Sequence, residues 1–186
     1  MEAKLRCTWC EKDDLYRYYH DNEWGKPVYD DATLFEFLIL ETFQAGLSWY
    51  TVLAKRGNFR TAFDQFDWNT IANYSVEKME ALAKDPGIIR NQLKIKATVT
   101  NAQAFIKVQE EFGSFSKYIW SFVDGKPIDN QPKNLGEVKA TTAISDKLSK
   151  DLKKRGFKFV GSTVVYAHMQ ATGMVNDHVM DCFTRK

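Results

Sequence analysis

The sequence predicts an all-α fold, on three observations. Apolar residues recur at helical spacing, no stretch alternates for long enough to build a sheet, and capping or breaking residues bracket the periodic runs. The chain is organised around 34–53, LFEFLILETFQAGLSWYTVL. Its first half is so densely apolar that it reads as a helix buried almost all round. Asp31 is the expected N-cap, and Gly46 is where the helix stops. Ser48 then caps a second helix, with Leu47 and Val52 placed as a hydrophobic staple. Glu41 breaks the pattern. It follows Leu34, Phe37 and Leu38 by seven, four and three residues, so it shares their apolar face. A buried lone carboxylate costs several kcal/mol, roughly, and so calls for a cation, good donors or a ligand. Two readings stay open: a structural Glu paired with an arginine or capping a neighbouring helix, or a recognition carboxylate at a pocket floor with Trp49 beside it.

At 186 residues, with 44% hydrophobic and 27% charged side chains, the chain has the make-up of one soluble globular domain, residues 1–186. No segment is long and apolar enough to span a membrane, and MEAKLRC lacks the pattern of a signal peptide, so the expected location is the cytoplasm. In that compartment three cysteines are thiols or metal ligands rather than disulfides. Net charge is only +2, but 147–158 holds six basic residues and one acidic, whereas 11–31 holds seven acidic and three basic. The basic stretch suits an anion, although most such runs are solvated faces. Eight of the 26 aromatic residues lie within the first 50 outside the buried helix, which suggests a stacking site.

In chain order, Cys7 and Cys10 form a CxxC pair, with no βαβ pattern to support a redox role. A helix over about 13–22 brings Tyr16, Tyr19 and His20 near one face. Ala62, Phe63, Phe66 and Trp68 are packing residues. Ser75 opens a short helix through Ala83, ended by Asp85-Pro86-Gly87, and a long helix follows over 87–113. The segment 115–123 is ambiguous, and 125–139 reads as a surface loop. Ser145 is expected to cap a helix through Lys154 that Gly156 closes. After a tight connection, Ser162 begins another helix whose N-terminus presents free N–H groups, an anion-binding arrangement. His178 and Cys182, four apart, leave one face of a helical turn with a spacing that suits two ligands of one Zn²⁺. His168 sits mid-helix without a partner.

Three stretches then add up: YHDNEWG (19–25), LETFQAGLSW (40–49), and KKRGFKFVGSTVVY with GMVNDHVMDC (153–182). Together they resemble the 3-methyladenine DNA glycosylase I family, a zinc-containing branch of the helix-hairpin-helix DNA glycosylases, over nearly the whole chain. The resemblance implies a helix-hairpin-helix glycosylase fold and hydrolytic removal of N3-methyladenine from alkylated double-stranded DNA, with the free base as product. It implies one structural Zn²⁺ tying the termini into an annex of about 1–25 and 174–186, through Cys7, His20, His178 and Cys182. The competing set, from spacing alone, is Cys7, Cys10, His178 and Cys182. The resemblance places the base pocket at Glu41, Tyr19 and Trp49, as the residues that carry the reaction, with Trp9, Tyr16 and Trp24 as walls. Gly46 and Leu47 stand at the gap left by the flipped base. DNA phosphates are expected at Lys153, Lys154, Arg155, Lys158, Gly161, Ser162 and Thr163. The chain departs from the wider superfamily at Phe159, where a glycine is usual. The superfamily aspartate falls near 175–178, but this branch works without it, so Asp177 takes no catalytic role. A monomer is expected. Two other readings remain: a zinc-stapled DNA-binding module without catalysis, and an enzyme acting on a free nucleobase or nucleotide.

Overall fold

The computed structural model describes residues 4–185; residues 1–3 and Lys186, the outer ends of the expected annex, lie outside the described residues. Among the described residues, ten α-helices follow in order. They are α1 (Asp14–Asn22), α2 (Asp31–Gln44), α3 (Trp49–Ala54), α4 (Arg56–Ala62), α5 (Trp68–Ile71), α6 (Val76–Leu82), α7 (Gln92–Phe112), α8 (Phe115–Trp120), α9 (Ala143–Lys154) and α10 (Ser162–Ala171). The only β structure among the described residues is a two-residue parallel pairing of β1 (Ile128–Asp129) with β2 (Val175–Asn176), in register Ile128 to Val175 and Asp129 to Asn176.

Helix α2 is the hub. Residues 37–43 are buried without a break, as expected of a helix apolar on every side, and α7, α8 and α10 pack round it. Its N-cap, however, is Asp30, which accepts from Thr33 N. Asp31 serves a different helix. Its carboxylate accepts from Phe115 N (2.9 Å), Ser116 N (2.8 Å) and the Gln109 amide (2.7 Å). It thereby satisfies the orphan N–H groups that open α8, where negative charge is favoured by the helix dipole.

Other boundaries differ from expectation for similar reasons. The long helix starts at Gln92, not near Gly87, because Asn91 supplies the cap to Lys94 N. Thr142 rather than Ser145 caps α9; Ser145 is the third helical residue and returns its hydroxyl to Thr142 N, a reciprocal capping box. The 125–139 segment is more than a surface loop, since it contributes β1 and lies against β2. His168 has a partner after all, its Nε2 lying 3.0 Å from Leu34 O, and burial lowers its pKa to about 4. No described helix is long and apolar enough to cross a membrane.

Candidate functional site

The N-terminal aromatics converge on a second, smaller apolar cluster, where Tyr19, Trp24, Phe37, Leu53 and Ala171 meet Trp9, Tyr16 and Trp49. Local capping sets this up. Asp13 caps α1 through Tyr16 N and also accepts from the hydroxyl of Tyr50, which ties α1 to α3. Trp9 then meets Tyr16 at 4.9 Å and Trp24 at 5.0 Å between ring centroids, while Tyr19 lies 5.5 Å from Trp49. These are tilted and edge-on pairings of the sort that aromatic quadrupoles favour.

Together these rings enclose a cavity of about 260 Å³. It is lined by Trp9, Tyr16, Tyr19, Trp24, Glu41 and Trp49, and also by Gln44, Leu135, Val138, Ala167 and Gln170. All six sequence-expected pocket residues are therefore in one place. The other five escape sequence reasoning. Leu135 and Val138 belong to the segment that reads as a plain surface loop, and Ala167 and Gln170 lie three apart on α10. On α10 the polar Gln170, between Met169 and Ala171, carries no signal that sets it apart from other polar helix residues.

Glu41 has no hydrogen bond or ion pair among the described residues, although it is 3% exposed. Arg56, the arginine held over the Phe37 ring, is taken by Glu23 and Glu36 instead. Burial alone raises the Glu41 pKa to about 8. Trp49 Nε1 is likewise buried and without a partner. A carboxyl and an indole N–H left unsatisfied in residues of one cavity are costly unless a ligand completes them.

Beside the cavity, α2 ends in a turn with Gly46 at φ +83°. Lys94 is 6% exposed, and its ammonium donates to Phe43 O (2.8 Å) and Ala45 O (2.7 Å), capping α2 and holding this turn in place. Ser48 caps α3 as expected, but Leu47 is 41% exposed and not a buried staple residue. Gly46 and Leu47 stand next to the cavity without lining it.

A metal-type cluster lies behind Trp24. The ligand atoms of Cys7, His20, His178 and Cys182 all fall within 4.8 Å of one another, and all four residues are buried. Cys182 Sγ is 3.5 Å from His20 Nε2 and from His178 Nδ1, and Cys7 Sγ is 3.7 Å from His178 Nδ1. Tetrahedral zinc with ordinary Zn–S and Zn–N lengths places S and N roughly 3.6 Å apart, so the donor set fits. Each histidine is oriented by its other nitrogen. His178 Nε2 lies 3.0 Å from Trp24 O, which can only accept, and His20 Nδ1 lies 2.8 Å from Asp21, itself clamped by Arg6. Burial lowers the pKa of His178 to about 4, the neutral form that a metal needs, and pushes the Cys7 thiol up to about 12, a cost that a divalent cation offsets. Cys10 is outside the cluster; its thiol donates to Cys7 O at 3.1 Å. The expected helical turn at 178–182 is not formed: His178 lies two residues past the end of β2, and a turn at 180–181 brings Cys182 back to it.

Helix α9 joins α10, which lines the cavity through Ala167 and Gln170, by the connection 155–161. The turn is held from below. Asn101, fully buried on α7, accepts from Lys158 N (2.7 Å) and donates to Lys158 O (3.1 Å), and Ser149 donates to Val160 O (2.7 Å). Phe159 adopts φ +56° and is 40% exposed. Gly161 precedes α10 with no side-chain cap, and a Cβ added there would meet nothing within 4 Å. Lys153, Lys154, Lys158 and Thr163 are exposed, and Ser162 is half-buried with its hydroxyl 2.8 Å from Ser145. Arg155 differs from its neighbours. It is bound by Asp151 and Glu111 and lies over the Phe112 and Tyr118 rings, so its charge is already used within the fold.

A protein-family model described as methyladenine glycosylase matches residues 9–185. The DNA-3-methyladenine glycosylase 1 of Escherichia coli strain K12 is 50% identical over 177 residues, 95% of each chain. The DNA-3-methyladenine glycosylase of Haemophilus influenzae is 48% identical over 95% of this chain and 96% of its own. Among solved structures, the 3-methyladenine DNA glycosylase I of Staphylococcus aureus, described for its recognition of 3-methyladenine, superposes with a TM-score of 0.95. It is 37% identical and covers 100% of this chain and 98% of its own. The glycosylase-like fold, the match along almost the whole chain and the half-identical relatives agree: the chain belongs to the methyladenine glycosylase family.

Proposed function

We propose that this protein is a DNA-3-methyladenine glycosylase of base-excision repair: it takes N3-methyladenine out of alkylated duplex DNA, hydrolyses its glycosidic bond and leaves an abasic site. The observation that carries the reading is the Glu41 carboxyl, buried and unpartnered at an aromatic cavity.

A base inside a duplex is out of reach, so it must be flipped into a pocket and read there. N3-methyladenine in DNA is cationic and departs as a neutral base, so it needs little help from a general acid. Aromatic faces hold a cationic ring by roughly 0.5–2 kcal/mol per contact, depending on desolvation. Tyr19 and Trp49 supply such faces, with Trp9, Tyr16 and Trp24 as walls. Glu41 accepts from the exocyclic amine. The arriving positive charge favours its ionised form, so binding energy is directed at the damaged base rather than at neutral adenine. The exposed Leu47, on the turn fixed by Gly46 and Lys94, fills the space that the flipped base leaves.

The α9–α10 unit acts as a helix-hairpin-helix. Its free N–H groups at Gly161, Ser162 and Thr163 hold a backbone phosphate, with Lys153, Lys154 and Lys158 adding sequence-independent attraction. Arg155 supports the hairpin rather than the phosphate. Cys7, His20, His178 and Cys182 hold one structural Zn²⁺, which closes the annex of about 1–25 and 174–186 onto the rest of a single domain. A cytoplasmic monomer completes the reading. Incubation with methylated DNA followed by analysis of the released bases tests it: free 3-methyladenine is expected, and a protein that binds the DNA but releases nothing is a binding module instead.

A further inference from the structure

Gln170 lines the cavity from α10 and is also held from behind. Its Nε2 donates to Asp177 Oδ2 at 2.8 Å. Asp177, 2% exposed, takes two more donors: the Tyr166 hydroxyl on the same oxygen and Asn130 Nδ2 on the other, each at 2.7 Å. A carboxylate can only accept, so it dictates which end of the Gln170 amide faces it. The nitrogen is committed to Asp177. The oxygen is left as the amide's other end, and it has no partner among the described residues. A glutamine amide left to itself presents donor or acceptor with equal ease; this one is fixed as an acceptor.

Two residues that line the cavity, Glu41 and Gln170, thus each carry an oxygen without a donor among the described residues. An exocyclic purine amine carries two N–H groups. We propose that Gln170 Oε1 is the second acceptor for that amine, and that the Tyr166–Asn130–Asp177 group, by fixing the amide, selects adenine-type over guanine-type lesions. The inference rests on the glycosylase reading above and deepens it. Adenine presents N–H donors at position 6, whereas guanine presents a carbonyl oxygen. With guanine that oxygen would face the amide oxygen that Asp177 fixes on Gln170, a repulsive element that adds to the missing hydrogen bond.

The test uses Gln170→Met and Gln170→Leu, which keep bulk but remove the acceptor. Single-turnover release of 3-methyladenine from methylated poly(dA)·poly(dT) is compared with release of 3-methylguanine from methylated poly(dG)·poly(dC). Binding of the two free bases is followed by tryptophan fluorescence. The wild-type preference for the adenine lesion is expected to fall at least tenfold in both variants, in release and in free-base binding alike. An unchanged preference would overturn the inference, even if both rates dropped together, because a merely structural glutamine lowers them in proportion. Wild-type protein that releases no 3-methyladenine at all would overturn the glycosylase reading as well.

Discussion

Glu41 on α2 and Trp49 on α3 line one cavity, and each contributes a polar group with no partner among the described residues. The two sit on either side of the Gly46 turn, so one short connection, held by Lys94, sets their spacing. Folding has left both groups unsatisfied beside the cavity, at a cost to stability.

That cost is visible in pH. The Glu41 pKa rises from the ordinary 4.5 to about 8 through burial. Between these values the folded state holds a proton that the unfolded state has lost. Stability is therefore full below about pH 4.5 and falls as pH rises to about 8. Glu41→Gln removes the effect. The variant should match wild type at pH 4.5 and exceed it at pH 8 by a few kcal/mol, about 5–10 °C in Tm for a chain of this size. Thermal melts at the two pH values, without ligand, check this; a variant less stable at pH 8 would mean that the charged carboxylate has a structural partner.

Metal occupancy separates the two ligand sets. Cys10→Ser should retain one zinc per chain, because that thiol only donates to Cys7 O. His20→Ala should bind zinc more weakly, since Nε2 is one corner of the cluster. Chelation should lower Tm and loosen the Trp9 and Trp24 walls, because Trp24 O holds a liganding histidine. Metal analysis of the two purified variants reads the result; the reverse pattern would mean a CxxC site.

Charge at the hairpin should divide unevenly. Replacing Lys153 and Lys154 by glutamine is expected to weaken binding to any duplex and to reduce the salt slope by about one unit for each phosphate no longer neutralised. Arg155→Met should leave the slope nearly unchanged and lower Tm instead, since its partners are Asp151 and Glu111. Titrations of undamaged duplex at several salt concentrations distinguish these outcomes.

Asn101 holds the turn of the same hairpin through Lys158 N and O. Asn101→Leu leaves the Lys158 amide groups unpaired against a buried wall, at about 1–3 kcal/mol. Binding to undamaged duplex should fall while capture of free 3-methyladenine stays normal, because the cavity lies elsewhere. Loss of base binding in a folded variant would contradict that division.

Much of the fold and site is legible in the sequence because it rests on local or one-dimensional signals. The all-round apolar run makes α2 a buried helix, and one carboxylate inside it stands out as Glu41. Cap chemistry locates helix starts closely, yet misassigns two of them: a capping box offers two hydroxyls, Thr142 and Ser145, and Asp30-Asp31 offers two carboxylates. What stays hidden depends on long-range packing. Asp31 at the α8 N-terminus, Asn101 beneath the hairpin, and Leu135 and Val138 on the cavity wall leave no periodic trace. Spacing cannot rank His20 against Cys10, because the fourth corner of a tetrahedron is set by tertiary structure. Gln170 looks like any polar helix residue until Asp177 is seen behind it.

The most direct test is base release per folded molecule by wild type and Glu41→Gln, measured on methylated duplex with Tm taken on the same preparations. Wild type should release 3-methyladenine. Glu41→Gln should be folded and at least as stable, bind undamaged duplex normally, and release the base at least tenfold more slowly. A Glu41→Gln protein that is destabilised, yet excises normally per folded molecule, would contradict the assignment of this carboxyl to the base.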